Sequence, residues 1–175
     1  MKKKVLSALD IYSEEVNIPG GFEINRKKIF SHILHNCFIE REIFNYKNTF
    51  KVDSSQDLGW FNQYIIEHLL LRHKVALESH NYYGLILYPG EMSIIRNENN
   101  LYPTSAYTVI YGIEVPKNST ELTLSFKDKN KLKIYSEEIY DNKFIIFPSS
   151  ENYFLTRNNS SNLICFLVGN FLKTF

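Results

Sequence analysis

Five histidines, two cysteines and scattered carboxylates are the groups in this chain with chemistry to offer, and their spacing argues against most of it. His32 and His35 lie one helical turn apart, as two metal ligands on one helix do. No Glu or Cys completes a set on that face, and Cys37 points elsewhere. His68 and Arg72 form an i, i+4 pair with Glu67 and Glu78 nearby, a pattern that holds an anion or simply decorates a solvated helix surface. His73 and His80 have no partner at metal spacing. Glu137 and Glu138 are adjacent, so in an extended chain they face opposite ways and cannot share a proton. There is no GxSxG, no P-loop, no GxGxxG and no CxxC. These residues therefore predict neither a catalytic set nor a metal site.

Tyrosine and asparagine give a different signal. Tyr102, Tyr107, Tyr111, Tyr153, Asn97, Asn100 and Arg157 are candidates to line one face or mouth of a β structure. Such a set suits a sugar, a peptide or another subunit, because Tyr supplies rigid amphipathic contact area. The competing reading is that half of these aromatics are core.

The chain that must position these groups has 175 residues, 44% of them hydrophobic, with twelve Tyr and thirteen Phe. That is enough to bury one sizeable core, so residues 1–175 are expected to form a single domain. The formal net charge of +1 lacks the basic footprint of a nucleic-acid binder. No apolar run reaches the ~18 residues that span a bilayer. Cys37 and Cys165 lie far apart in apolar segments, which predicts free thiols and a cytoplasmic setting, in a host cell or a virus particle.

Periodicity divides the chain in two. Over residues 1–80 the pattern is a helical lead-in. Asn25 is a good N-cap, and Ile29, Phe30, Ile33, Leu34, Cys37 and Phe38 repeat at three-to-four spacing, predicting a helix that ends near 44–48. Ser55 or Asp57 caps a second helix over about 58–77, with Leu58, Phe61, Ile65 and Leu69 as its buried stripe. From Gly84 to Leu172 the period changes to two, with runs such as AYTVIYGIEVP, TELTLSF, KLKIY and KFIIFPS ending at turn residues. About eight strands follow two helices. The expected fold is mainly β (α+β): an antiparallel jelly roll, or double-stranded β-helix, with the two helices packed on one face.

Four of these runs resemble the double-stranded β-helix of cupins and iron/2-oxoglutarate oxygenases, and the small oxygenases of phage genomes in particular. YTVIYGIEVP resembles the family's strand ending in an aliphatic-x-x-Pro, and TELTLSF the strand after it. KFIIFPS resembles the strand whose FPS precedes the distal iron histidine, and LICFLVGNF the final strand. The resemblance implies an iron triad of His-x-carboxylate plus a distal His, and a basic residue for 2-oxoglutarate on the last strand. On this alignment Tyr153 stands for the distal His, Asn99 to Pro103 for the His-x-carboxylate, and 162–164 for the basic residue, for which Arg157 comes too early. No histidine follows His80.

These absences lead to an expected non-catalytic jelly roll with a structural, assembly or binding role, such as a phage or virus particle component, taking no cofactor. Protein partners or self-association are expected, with a glycan as a further ligand class and no nucleic acid or membrane. Phe171, Leu172 and Phe175 are expected to pack against the body or a neighbouring subunit. The alternative is a divergent Fe(II)/2-oxoglutarate-dependent oxygenase drawing ligands from His80 with Glu91 or Glu98; a carbohydrate-binding module is the third reading.

Overall fold

In the computed structural model, residues 2–6, 9–39 and 47–174 are described. Among these residues, ten strands make two antiparallel sheets. The larger runs in the order β1 (Lys2–Leu6), β2 (Leu9–Glu15), β8 (Lys143–Pro148), β5 (Tyr107–Glu114), β10 (Ile164–Lys173), β4 (Leu77–Leu87), β3 (Thr49–Lys51). The smaller runs β7 (Lys131–Glu138), β6 (Glu121–Asp128), β9 (Asn152–Leu155). This is the predicted jelly roll. Two helices, α1 (Arg26–Phe38) and α2 (Gln56–His73), cover the outer face of the larger sheet.

Strand alternation builds two cores from one sheet. On β10, Cys165, Leu167 and Phe171 face the helices and meet Ile29, Ile33, Phe61, Ile65 and Leu69. Ile164, Phe166 and Val168 face the smaller sheet and meet Leu122, Leu124 and Leu155. A strand covered on both sides has no polar alternation to show, which is why LICFLVGNF reads as one apolar run.

The helices are shorter than their apolar pattern. Asn25 caps α1, its side chain accepting from the Lys28 N–H at 3.1 Å; α1 ends at Phe38 with Ile39 as its C-cap, and of the end expected near 44–48, residues 44–46 lie outside the described residues and 47–48 form a turn. Ser55 caps α2 by accepting from Leu58 N–H, and Lys74, at φ 59°, ends it. The segment after Lys74 continues as β4, because Tyr82 and Tyr83 pack across strands in place of helix turns. The N-terminal lead-in is also not helical. β1 and β2 extend the larger sheet, with Leu9 and Ile11 in the inter-sheet core and Tyr12 on the helix side. The period-two pattern of LDIYSEE carries this, over seven residues that are too few to outweigh the turn cluster beside them. Phe171 is fully buried in the body, Leu172 is half-buried, and Phe175 lies outside the described residues. Both cysteines are free thiols.

At Gly112 the fold leaves no room for a side chain: a Cβ there would stand 2.1 Å from the Tyr140 carbonyl oxygen. Gly59 in α2 has nothing within 4 Å. Gly112→Ala is therefore expected to cost about 1–3 kcal/mol by overpacking, and Gly59→Ala to gain about 0.5–1 kcal/mol of helix propensity. Chemical denaturation of the two variants checks both signs.

Candidate functional site

After β4 the chain turns at Pro89-Gly90, where Gly90 takes φ 80°, and then runs back along β9. Ser93 N–H donates to the Leu155 carbonyl (3.1 Å), Leu155 N–H donates to Ser93 Oγ (2.8 Å), and Arg96 and Tyr153 exchange both backbone bonds at 2.8 Å. The segment 92–97 thus pairs with β9 only in part, because the Ser93 hydroxyl stands in for a backbone acceptor. It ends in a single 3-10 turn, Glu98–Asn100. Asn97 caps that turn by accepting from Asn99 N–H, and its amide donates to the Ser150 carbonyl (2.8 Å) and to Asn152 Oδ1 (3.0 Å). The cap turns Glu98 inward.

The Glu98 side chain is fully buried between the sheets. Its Oε1 accepts from the hydroxyls of Tyr83 on β4 and Tyr153 on β9, each at 2.6 Å, and its Oε2 accepts from Asn170 Nδ2 on β10 at 3.0 Å. Three donors and no acceptor is the hydrogen-bond pattern of an ionised carboxylate. The chain of bonds runs on: Thr108 Oγ1 donates to Asn170 Oδ1 at 3.0 Å and lies 2.8 Å from Ser149 Oγ. Burial first, and then the Glu98 charge, push the Tyr83 and Tyr153 hydroxyls well above their ordinary range, against an opposing pull from Arg96. Both therefore stay protonated as donors. Arg96 is itself buried, with its guanidinium 5.9 Å from the Tyr83 ring centroid and its Nη2 3.4 Å from the Lys47 carbonyl.

This geometry relocates the candidate triad. Arg96-Asn97-Glu98 has the His-x-carboxylate spacing, starts three residues before Asn99, and bridges through Arg96 to Tyr153. At its three positions stand a guanidinium, a carboxylate and a phenol. A guanidinium offers no lone pair and a fixed positive charge, and both Glu98 oxygens are already engaged. The set does not fit a two-histidine, one-carboxylate iron centre. Among the described residues, no group of three or more His, Cys, Asp or Glu is placed to hold a metal.

The other predicted residues are dispersed. Tyr153 sits in the centre, whereas Tyr111 lies on the helix side of the larger sheet, stacked on Phe61 at 4.4 Å with its hydroxyl on Asn142. Tyr107 is half-buried at the end of β5, and Asn100 is exposed on the 3-10 turn. Tyr102 lies near Glu98, whose charge adds to burial in raising its hydroxyl to about 12, and its ring meets His80 at 5.5 Å. Arg157 is exposed beside the Gly90 turn. Asn97 acts as a cap. Tyr111 and Arg157 thus lie apart from the 97–107 segment, and Tyr153 is fully buried. Glu91 is occupied by Lys47, Asn48 and the Tyr88 N–H. A cleft of about 650 Å³ opens elsewhere, beside Ile113 at the far end of β5, where Arg26 pairs with Asp141 at 3.3 Å.

Sequence reasoning placed Glu98 only among ligands of the alternative. The signal that would have found it is the acidic residue two positions after the basic end of an apolar run. Asn170 carried a signal too, as the one polar residue on the inward face of an apolar strand.

No protein-family model matches this chain, and no curated protein matches it. Solved structures do. A prolyl-4-hydroxylase from Pseudomonas putida matches with a TM-score of 0.64 at 7% identity, over 94% of this chain and 93% of that one. The epimerase SnoN, solved in complex with Fe3+, alpha ketoglutarate and nogalamycin RO, matches with a TM-score of 0.65 at 7% identity, over 93% of this chain and 78% of that one. A prolyl hydroxylase from Trichoplax adhaerens, in complex with a hypoxia inducible factor peptide, matches with a TM-score of 0.59 at 10% identity, over 92% and 83%. The chain therefore has the fold of the iron/2-oxoglutarate oxygenases, as the strand resemblances predicted. The expectation that it takes no cofactor is corrected by the same finding: the fold is one of cofactor-dependent enzymes, and SnoN holds both iron and the 2-oxo acid. That expectation rested on the missing histidines, His-x-carboxylate spacing and basic residue, which speak for one donor set and not for the fold.

Removing either phenol leaves a buried carboxylate short of a donor. Tyr83→Phe and Tyr153→Phe are each expected to cost about 1.5–3 kcal/mol, with the pair coupled in a double-mutant cycle. The unfolded tyrosines titrate near 10.0 and the folded pair well above it. The contribution of this pair to folding stability is thus flat below about pH 10 and falls as pH rises past it. Urea midpoints from pH 8 to 11 measure the slope, which is shallower in either Phe variant.

Proposed function

We propose that this chain is a binding or assembly protein built on the oxygenase jelly roll, with Arg96, Glu98 and Tyr153 joining its two sheets where the neighbouring enzymes are expected to work. One observation carries this reading: the Glu98 carboxylate is saturated by two phenols and one amide drawn from three strands. A carboxylate so held cements the two sheets and offers no open position to a reacting group. What the protein binds is then read from its surface, because the predicted tyrosine and asparagine set is dispersed.

The fold comparisons favour a second reading, a divergent Fe(II)/2-oxoglutarate-dependent oxygenase. The match to such enzymes covers nearly the whole chain, and a carboxylate stands at the centre between the sheets. In that reading Glu98 would supply the carboxylate of a metal centre whose other ligands differ from two histidines.

Incubating the full chain with Fe(II), ascorbate and 2-oxoglutarate, and following succinate release and oxygen uptake, separates the two. The first reading expects no succinate above a metal-free control. Succinate release that is lost in Glu98→Gln, with the variant still folded by circular dichroism, establishes the second reading and overturns the first.

A further inference from the structure

The edges of the two sheets are not treated alike. In the larger sheet one edge strand, β3, is three residues long, and the other, β1, begins with Lys2, Lys3 and Lys4. Short or lysine-rich edges resist pairing with stray strands. The smaller sheet has β7 at its edge, eight residues long and paired only with β6 among the described residues. Its hairpin is rigid, since Lys129 and Asn130 at its tip take φ 48° and 64°, the two positive values of a type I′ turn. On one face of β7, Leu132 is 69% exposed and Ile134 71%. Large aliphatic residues on a long, unpaired edge are what such edges usually avoid.

Charge along β7 selects the partner. The first half carries Lys131 and Lys133 and the second half Glu137 and Glu138; within the chain Lys133 also pairs with Asp128, and Glu137 with Lys143 at 2.9 Å. A parallel or in-register neighbour would set lysine against lysine. An antiparallel copy of the same strand sets the basic half of each against the acidic half of the other. Strand pleat narrows the register further: in a continuous antiparallel sheet, directly opposed residues share a face. A two-fold axis through Ile134 satisfies this. It opposes Ile134 to itself, Leu132 to Ser136 and Lys131 to Glu137, and gathers both Leu132 and both Ile134 side chains into one apolar patch.

We propose that β7 is the docking surface for a second copy of this chain, joining the two smaller sheets edge to edge about a two-fold axis at Ile134. The interface is isologous, so it closes at two copies and does not propagate. It stands independently of what the Glu98 centre does.

Cysteine cross-linking at the axis tests the register. Cys165 is fully buried, so only Cys37 needs removal. Ile134→Cys in a Cys37→Ser background is expected to give a disulfide-linked dimer under mild oxidation, because opposed strand residues have Cβ atoms about 5 Å apart. Lys117→Cys in the same background gives none. In sedimentation at about 100 µM, the unmodified chain runs as a dimer, and Ile134→Lys, whose exposed position leaves folding intact, runs as a monomer. Raising salt to about 1 M, where screening reaches a few ångströms, weakens the dimer several-fold. A wild-type monomer at that concentration, or a dimer that does not cross-link at residue 134, overturns the proposal.

Discussion

A single carboxylate buried out of reach of bulk solvent governs this structure. Glu98 lies between two β sheets, and an ionised carboxylate there is tolerable only if donors replace its hydration. The donors come from β4, β9 and β10, so the charge is satisfied only when both sheets are in place. Much else follows from this requirement. Asn97 must cap the short turn to aim the carboxylate inward, and Asn170 must break the apolar run of β10 to reach it. The two tyrosine hydroxyls must keep their protons, and the same burial that isolates the carboxylate raises them enough to do so.

Architecture in this chain rests on more widely met features than its centre does. The solved neighbours at 7–10% identity agree with this chain in strand order and sheet arrangement. Those features come from apolar alternation, turn residues and close packing, which many sequences satisfy. The centre depends on a handful of side chains, and in this chain Arg96, Glu98 and Tyr153 stand there.

Most of the fold was legible because its signals are repeated. Period-two runs gave the strands from β5 to β10, and FPS marked the end of β8. Asn25 and Ser55 gave the helix caps. What was not legible depended on single residues or on partners remote in sequence. β1 and β2 are short and are defined by pairing with β8, more than a hundred residues later. Glu98 sits in ENN, which reads as a polar loop; nothing local says that the Tyr83 and Tyr153 hydroxyls await it. Tyr111 and Tyr153 look alike in sequence, one residue ending up under a helix and the other between the sheets. The alternation rule assigns a face, and it cannot say which face meets water.

One consequence concerns the order in which the chain is made. β10 is the last strand in sequence, yet it lies between β4 and β5, contributing to the cores on both sides of the larger sheet. Until it is added, β4 and β5 have no common neighbour, and Glu98 lacks its amide donor. The larger sheet is thus in two pieces, β3 with β4 and β1, β2, β8 and β5 together, until β10 joins them. Joining them is a long-range step, and long-range strand pairings form slowly.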